Sequence, residues 1–156
     1  MKPFLLLTLL FAPVPAFADT VFDRMIGTWR GSGSYSEGGP TVDLRCRITI
    51  SGTSDAIDLA GRCASSLGGD DFTMGVERGP GSTARVDTGG GSRAGDSSIT
   101  GLSGPLGSNG LVVKGTAGSE ETTVQLLLND DGSLVFATRE VTPAKTSVSY
   151  VTLLRQ

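Results

Sequence analysis

A ten-residue stretch of strict alternation constrains the fold of this chain more than any other feature of its sequence. From Thr41 to Ile50 every second residue is apolar, and the residues between are polar or charged. A period of two places the apolar side chains on one face of an extended strand and the polar ones on the other. We therefore predict a β-strand with one buried face and one face in water.

The same alternation recurs along the rest of the chain. A helical turn from Val21 to Ile26, with Thr20 as its N-cap, precedes a first strand that opens at Ile26 to Gly33. Further strands are predicted at Ala56–Ser65, Asp71–Glu77, Thr83–Asp87, Ser97–Leu102, Leu111–Gly115, Val124–Leu128, Ser133–Val141 and Ser147–Leu154. Gly104 to Gly110 is predicted as a loop, and Asn129 to Gly132 as a hairpin turn.

This succession of strands predicts the fold class. No helix of crossover length separates the strands, which favours an antiparallel sheet. A long sheet with one wet and one dry face must close on itself or fold into two layers. We predict an all-β fold, an antiparallel up-and-down barrel of about 8–10 short strands, with one short N-terminal helical turn. A Greek-key β-sandwich is the alternative.

Residues 1–18 have the pattern of a secretory signal peptide. Lys2 is followed by an apolar run from Phe4 to Phe11, too short to span a bilayer, and by the small-x-small sequence that ends at Ala18. We predict cleavage between Ala18 and Asp19, with residues 19–156 forming a single β-barrel domain. The predicted location is the periplasm or the outside of the cell.

Composition argues against several function classes. The chain contains no histidine and carries a formal net charge of −3 at pH 7. It therefore lacks the commonest metal ligand and general base, and the acidic balance disfavours nucleic acid. The acidic segments Asp70-Asp71 and Asn129 to Gly132 lack the spacing of a calcium loop and are typical of turns. We predict no enzymatic activity, no catalytic residues, no metal site and no cofactor.

The only two cysteines, Cys46 and Cys63, fall on neighbouring predicted strands. If Ile50 lies opposite Leu59, the register places Cys46 opposite Cys63 on the dry face, which predicts a cross-strand disulfide. Such a bridge would stabilise the fold by roughly 3 kcal/mol. A redox-active pair is the alternative, although that chemistry usually requires closer spacing.

The only tryptophan lies in the segment Gly27-Thr28-Trp29. This segment resembles the Gly-x-Trp motif of lipocalin-like barrels, near the closed end of the first strand. The chain is more closely similar to a group of small exported bacterial proteins of unassigned function. The patterns that carry this second resemblance span about the first half of the mature chain: Gly27-Thr28-Trp29-Arg30-Gly31-Ser32-Gly33, Arg45-Cys46-Arg47 and Arg62-Cys63-Ala64-Ser65.

The lipocalin resemblance implies a set of barrel-closure residues, Gly27, Trp29 and Arg155. In that family an arginine near the end of the last strand stacks on the tryptophan, and Arg155 occupies the corresponding place. A frayed terminal residue is the alternative interpretation of Arg155.

Three further arginines share the polar face of the cysteine-bearing strands. Arg45, Arg47 and Arg62 could bind an anion together. The alternative is a solvated surface that Asp43 and Asp58 partly neutralise.

Two function classes follow from the predicted fold. The first is a non-enzymatic module that binds a small apolar ligand inside the barrel; a filled interior would leave no room, whereas a cavity of about 300 Å³ or more would support a ligand. The alternative is a protein-interaction module, such as a periplasmic protease inhibitor or envelope assembly factor, with Asp19 to Met25 or a glycine-rich loop as the contact. We expect a monomer, with no nucleic-acid partner and no membrane insertion.

Overall fold

The structure, a computed structural model, describes residues 20–89 and 101–156. Its elements are α1 (Val21–Met25), β1 (Gly27–Glu37), β2 (Val42–Gly52), β3 (Ala56–Ser65), β4 (Gly68–Gly79), β5 (Thr83–Gly89), β6 (Leu102–Gly107), β7 (Gly110–Ala117), β8 (Glu120–Leu128), β9 (Leu134–Val141) and β10 (Thr146–Arg155). The predicted signal peptide and its cleavage site lie outside the described residues, as do residues 97–100 of the predicted strand Ser97–Leu102. None of the described helical residues form a span long and apolar enough to cross a membrane.

The ten strands form one closed barrel. Each strand pairs antiparallel with its neighbours in sequence, and β10 pairs with β1 to complete the circle. This order confirms the predicted up-and-down barrel and excludes the Greek-key sandwich. The alternation in β2 shows how sequence becomes architecture: Leu44, Cys46, Ile48 and Ile50 are buried, and the residues between them are exposed.

Side chains fill the barrel interior. Ile48, Leu59 and Leu126 are each at most 1% exposed, and Leu44 is 9% exposed. Phe72 and Phe136, on opposite walls, stack across the interior with ring centroids 5.3 Å apart and planes 10° apart. Dense packing of this kind occupies the space that an interior ligand would need. Within the described residues, the interior is a hydrophobic core.

Helix α1 plugs one end of the barrel, which we call the capped end. Its Phe22 and Met25 are 0% exposed, and Val21 is 6% exposed. Thr20 begins the helix with a capping box, since its Oγ1 accepts a hydrogen bond from the Asp23 backbone and the Asp23 carboxylate accepts one from the Thr20 backbone. These hydrogen bonds from Thr20 lower the pKa of Asp23. The helix is one residue shorter than predicted.

The prediction of a loop from Gly104 to Gly110 is wrong. Gly104 to Gly107 belong to β6, and Gly110 opens β7. Leu102 and Leu106 are buried on the face that Gly104 shares. A Cβ on Gly104 would lie 2.2 Å from the carbonyl oxygen of Val112, so this glycine permits a close approach of two strands. Because this strand contains glycine and proline, its composition resembles that of a loop, and the prediction from composition failed here.

Cys46 and Cys63 form a disulfide between β2 and β3. Ile50 lies opposite Leu59 and Cys46 opposite Cys63, the register on which the cross-strand bridge depends. The Cα atoms of the two cysteines are 4.1 Å apart, and Cys46 is 3% exposed. The bridge therefore ties two adjacent strands from inside the barrel.

Removing this bridge is expected to lower the free energy of unfolding by about 3 kcal/mol, because it closes a loop of 17 positions and so restricts the unfolded chain. The measurement is urea denaturation of the wild type and of a Cys46→Ala, Cys63→Ala double variant, each with and without reductant. Reductant should shift the wild-type midpoint and leave that of the variant unchanged. Equal midpoints for oxidised wild type and variant would contradict the expectation.

Candidate functional site

Two neighbouring clefts open at the capped end. The first, which we call the Trp29 cleft, has a volume of about 500 Å³ and is lined by Arg24, Trp29, Ser108, Asn109, Leu128, Asn129, Asp130, Gly132 and Arg155. The second, the Arg78 cleft, has a volume of about 400 Å³ and is lined by Thr20, Val21, Arg24, Arg78, Ser82, Leu106, Gly107 and Ser108. Arg24 and Ser108 line both, so the two clefts meet at this pair.

Trp29 lies beneath its cleft, where Arg155 covers its ring. It is 0% exposed, and its indole Nε1 donates a hydrogen bond to the Met25 carbonyl at 2.8 Å. That carbonyl lies at the C-terminal end of α1, where the helix leaves carbonyl groups without intrahelical partners. The indole thus joins β1 to α1 and fixes the position of the plug.

Arg155 covers the tryptophan ring. Its Cζ lies 4.4 Å from the ring centroid, a cation–π distance. Its Nη1 donates to the Ile26 carbonyl at 2.5 Å, and its Nη2 donates to the Arg24 carbonyl. The backbone of Gln156 also donates to the Thr28 carbonyl at 2.9 Å. The end of β10 is therefore anchored to the start of β1.

Gly27 completes this arrangement. Its φ is +146°, a conformation that side chains rarely adopt, and a Cβ there would lie 2.5 Å from Nη1 of Arg155. Glycine leaves the space through which Arg155 reaches the carbonyl groups at the end of α1. The structure thus brings together Gly27, Trp29 and Arg155.

Turns with internal hydrogen bonds form the polar walls of the cleft. In the β8–β9 turn, the Asn129 amide donates to the Ser133 hydroxyl at 2.9 Å, and the Ser133 backbone donates to the Asp131 carboxylate at 2.8 Å. Hydrogen bonds from Ser133 lower the pKa of Asp131. On the other wall, Nη2 of Arg24 donates to the carbonyl of Ser108 in the β6–β7 turn. These bonds hold the walls in place.

Arg45, Arg47 and Arg62 lie on the outer face of β2 and β3. Arg47 lies opposite Arg62, and Arg62 forms an ion pair with Asp71 at 3.1 Å. Arg30 of β1, which sequence reasoning did not include, lies opposite Arg47. All four arginines are exposed. Arg30, Arg47 and Arg62 thus lie side by side on a convex surface, with Arg45 two residues along β2, and none of the four lines either cleft.

The opposite end of the barrel is polar inside. The hydroxyl groups of Thr138 and Ser149 lie 2.8 Å apart, and Thr122 is 4% exposed with no hydrogen-bond partner for its Oγ1. Burial, aided by the negative charge of Glu37, raises the pKa of Tyr35. This end contributes no residue to either cleft. Among the described residues, no cluster of three or more acidic or cysteine side chains could hold a metal ion.

Sequence reasoning did not single out Arg24, Ser108 or Asn109 as site residues, although Arg24 belongs to the segment Asp19 to Met25 that was expected as a protein contact. They come from α1 and from a turn more than 80 positions away, with an Arg24–Ser108 separation of 84. Neither segment carries a recognisable motif. Only the barrel closure brings them together, so no local signal could have identified them.

No family model matches the chain, and no curated protein matches it. Among solved structures, the chain is similar to an S-type phycobiliprotein lyase, CPES, from Guillardia theta. The TM-score is 0.65 at 10% sequence identity, and the match covers 86% of this chain and 90% of the other. At this identity the similarity establishes a shared fold.

This neighbour contradicts the prediction that the chain is not an enzyme, because a protein with the same fold is named as a lyase. The prediction relied on the absence of histidine, which removes one general base but leaves carboxylates, arginines and hydroxyl groups. The barrel architecture is thus compatible with enzymatic activity as well as with binding.

Proposed function

We propose that this chain is an exported β-barrel that binds a small ligand in the Trp29 cleft. In this proposal residues 1–18 direct export, cleavage follows Ala18, and the mature protein acts in the periplasm or outside the cell. The observation that carries the proposal is the 500 Å³ volume of the cleft beside Trp29. Ligand sites in proteins typically have volumes of about 300–1,000 Å³, with apolar walls and a few well-placed polar groups.

The proposed site differs from the one expected from the sequence. An interior site would require space that Ile48, Leu59 and Leu126 occupy, since each is at most 1% exposed. At the capped end, residues of the β6–β7 and β8–β9 turns line an open cleft beside the plug. This contrast supports a ligand that sits on the plug.

The walls of the cleft are preorganised for binding. Arg155 is held by the Trp29 ring and by two carbonyl groups, and Arg24 is held by the Ser108 carbonyl. Side chains that are already fixed lose little conformational entropy when a ligand arrives. We infer that Gly27, Trp29 and Arg155 serve both to close the barrel and to shape the site.

The alternative, a protein-interaction module, has less support from the contact segment expected for it. Residues Val21, Phe22 and Met25 are at most 6% exposed because they plug the barrel. A partner could reach them only if the plug left the core. The apolar side of the segment therefore serves the fold, and Arg24 on its exposed side lines both clefts.

Blocking the cleft is expected to abolish ligand binding. The experiment records amide NMR shifts of the mature protein during titration with a library of small aromatic and aliphatic fragments. Fragments should shift resonances of the β6–β7 and β8–β9 turns, and Ser108→Phe should remove these shifts because the ring fills the junction of the two clefts. The matched control is Leu67→Phe, in the exposed β3–β4 turn at the other end, where Leu67 is 72% exposed.

Two outcomes would overturn the proposal. Fragments that shift only the resonances of the opposite end, around Tyr35 and Ser149, would place the site there. A library that produces no shifts at millimolar concentration would remove the binding function. Mass spectrometry of the denatured, freshly exported protein offers an independent measurement, since a co-purified small molecule should be present in the wild type and absent from Ser108→Phe.

A further inference from the structure

Two guanidinium groups line the Trp29 cleft without a carboxylate partner. Among the described residues, no carboxylate forms an ion pair with Arg24 or Arg155, whereas Arg62, Arg78 and Arg139 pair with Asp71, Asp55 and Glu121. Asp130, which is exposed, also lines the cleft and offsets one of the two arginine charges. The cleft therefore carries local positive charge in a chain whose net charge is −3.

The hydrogen bonds that position these arginines end on neutral groups. Arg155 donates to the carbonyls of Ile26 and Arg24, and Arg24 donates to the carbonyl of Ser108. Carbonyl groups accept hydrogen bonds but do not neutralise the charge. Each guanidinium also has more N–H donors than these bonds use, and the unused donors can face a ligand. The cleft thus supplies both charge and donors.

An anionic group meets these donors best. A carboxylate or phosphate accepts paired hydrogen bonds from a guanidinium, and such charge-assisted bonds are roughly twice as strong as those between neutral groups. The Trp29 ring beneath Arg155 positions one guanidinium, whose Cζ lies 4.4 Å from the ring centroid. Leu128, 7% exposed, adds a small apolar contact to the lining.

We propose that the ligand of the Trp29 cleft is an organic anion whose carboxylate or phosphate group binds between Arg24 and Arg155. This inference rests on the proposed function and specifies the chemical class of the ligand. The site differs from the outer face that carries Arg45, Arg47 and Arg62, which is convex and where Asp71 pairs with Arg62 at 3.1 Å. Binding should weaken as salt concentration rises, because mobile ions screen the arginines.

A matched pair of probes tests the charge. Benzoate and benzamide have the same ring and similar shape but differ in charge, and inorganic phosphate serves as a third probe. Trp29 is the only tryptophan, so its fluorescence reports on this cleft alone. We expect benzoate to bind at least about tenfold more tightly than benzamide, the size of effect typical of one charge-assisted hydrogen bond. NMR of the arginine side-chain N–H groups should locate the anion.

Variants separate this inference from the proposed function. Arg24→Gln is expected to weaken benzoate binding about tenfold and benzamide binding by a much smaller factor, and Arg24→Lys should restore part of the benzoate affinity. Arg85→Gln, an exposed arginine on β5, is the matched control. Thermal unfolding of each variant checks that the fold is intact.

Three other results of these binding experiments would overturn the anion proposal. Equal affinity for benzoate and benzamide would overturn the anion proposal while the binding function stands. Loss of benzoate binding in Arg47→Gln, with no loss in Arg24→Gln, would also overturn it by placing the anion on the outer face. If neither probe nor phosphate perturbs the cleft, the anion proposal fails, and the fragment titration decides the binding function separately.

Discussion

Trp29→Ala is expected to lower the free energy of unfolding by about 4 kcal/mol, because it removes a large, fully buried side chain and leaves a cavity. Trp29 is 0% exposed, and its ring contacts both the plug and the last strand. The truncation removes the hydrogen bond to Met25 and the surface on which Arg155 stacks. Loss of both contacts should loosen α1 and the β1–β10 seam together.

The measurement is urea denaturation followed by far-ultraviolet circular dichroism, since the variant has no other tryptophan for fluorescence. Trp29→Phe is the matched control: it keeps an aromatic ring in the core but loses the indole donor to the Met25 carbonyl. Its expected cost is about 1–2 kcal/mol. A cost below about 1.5 kcal/mol for Trp29→Ala would show that the tryptophan does not hold the capped end closed.

Gly33→Ala is expected to destabilise the barrel by about 3 kcal/mol, because the added methyl group meets backbone rather than a flexible side chain. A Cβ at Gly33 would lie 1.8 Å from the carbonyl oxygen of Tyr150 and 2.7 Å from the Cα of Val151. Gly31, one step along the same strand face, is similarly crowded by the Thr152 carbonyl at 1.9 Å. The seam between β1 and β10 would have to open, at the expense of its hydrogen bonds.

Gly39→Ala provides the control for Gly33→Ala. No atom lies within 4 Å of a Cβ built at Gly39, so the substitution should change the unfolding free energy by less than about 1 kcal/mol, and it can be stabilising. Both variants retain Trp29, whose fluorescence follows unfolding in urea. Equal stability of the two variants would mean that the seam tolerates a side chain and that its close approach does not require glycine.

The regular part of the fold was predictable because its signal is local. In β2, the alternation of Leu44, Cys46, Ile48 and Ile50 with polar residues matches the buried and exposed faces. The Asn129 to Gly132 turn between β8 and β9 was predictable for the same reason, since turn residues act on their own backbone. Strand β6 was not, because Gly104 and Pro105 have loop-like composition and their strand geometry depends on β7.

The candidate site was only partly predictable. Trp29 and Arg155 were identified through a family resemblance, and their contact at 4.4 Å depends on the closure of β1 on β10. Arg24 carried no signal, because its role depends on Ser108, which is 84 positions away. The sequence left open whether the interior is filled or hollow, and the structure shows inward side chains that fill it.

The sequence alone determined the strands and their antiparallel order, because an alternation with a period of two is a property of neighbouring residues. It also determined the register that places Cys46 opposite Cys63. The position of the concave surface followed only from the tertiary structure. The cleft beside Trp29 is lined by residues of α1, of the ends of three strands and of two turns, which only the closed barrel brings together. Its volume depends on how all of these segments pack, and no single segment determines it.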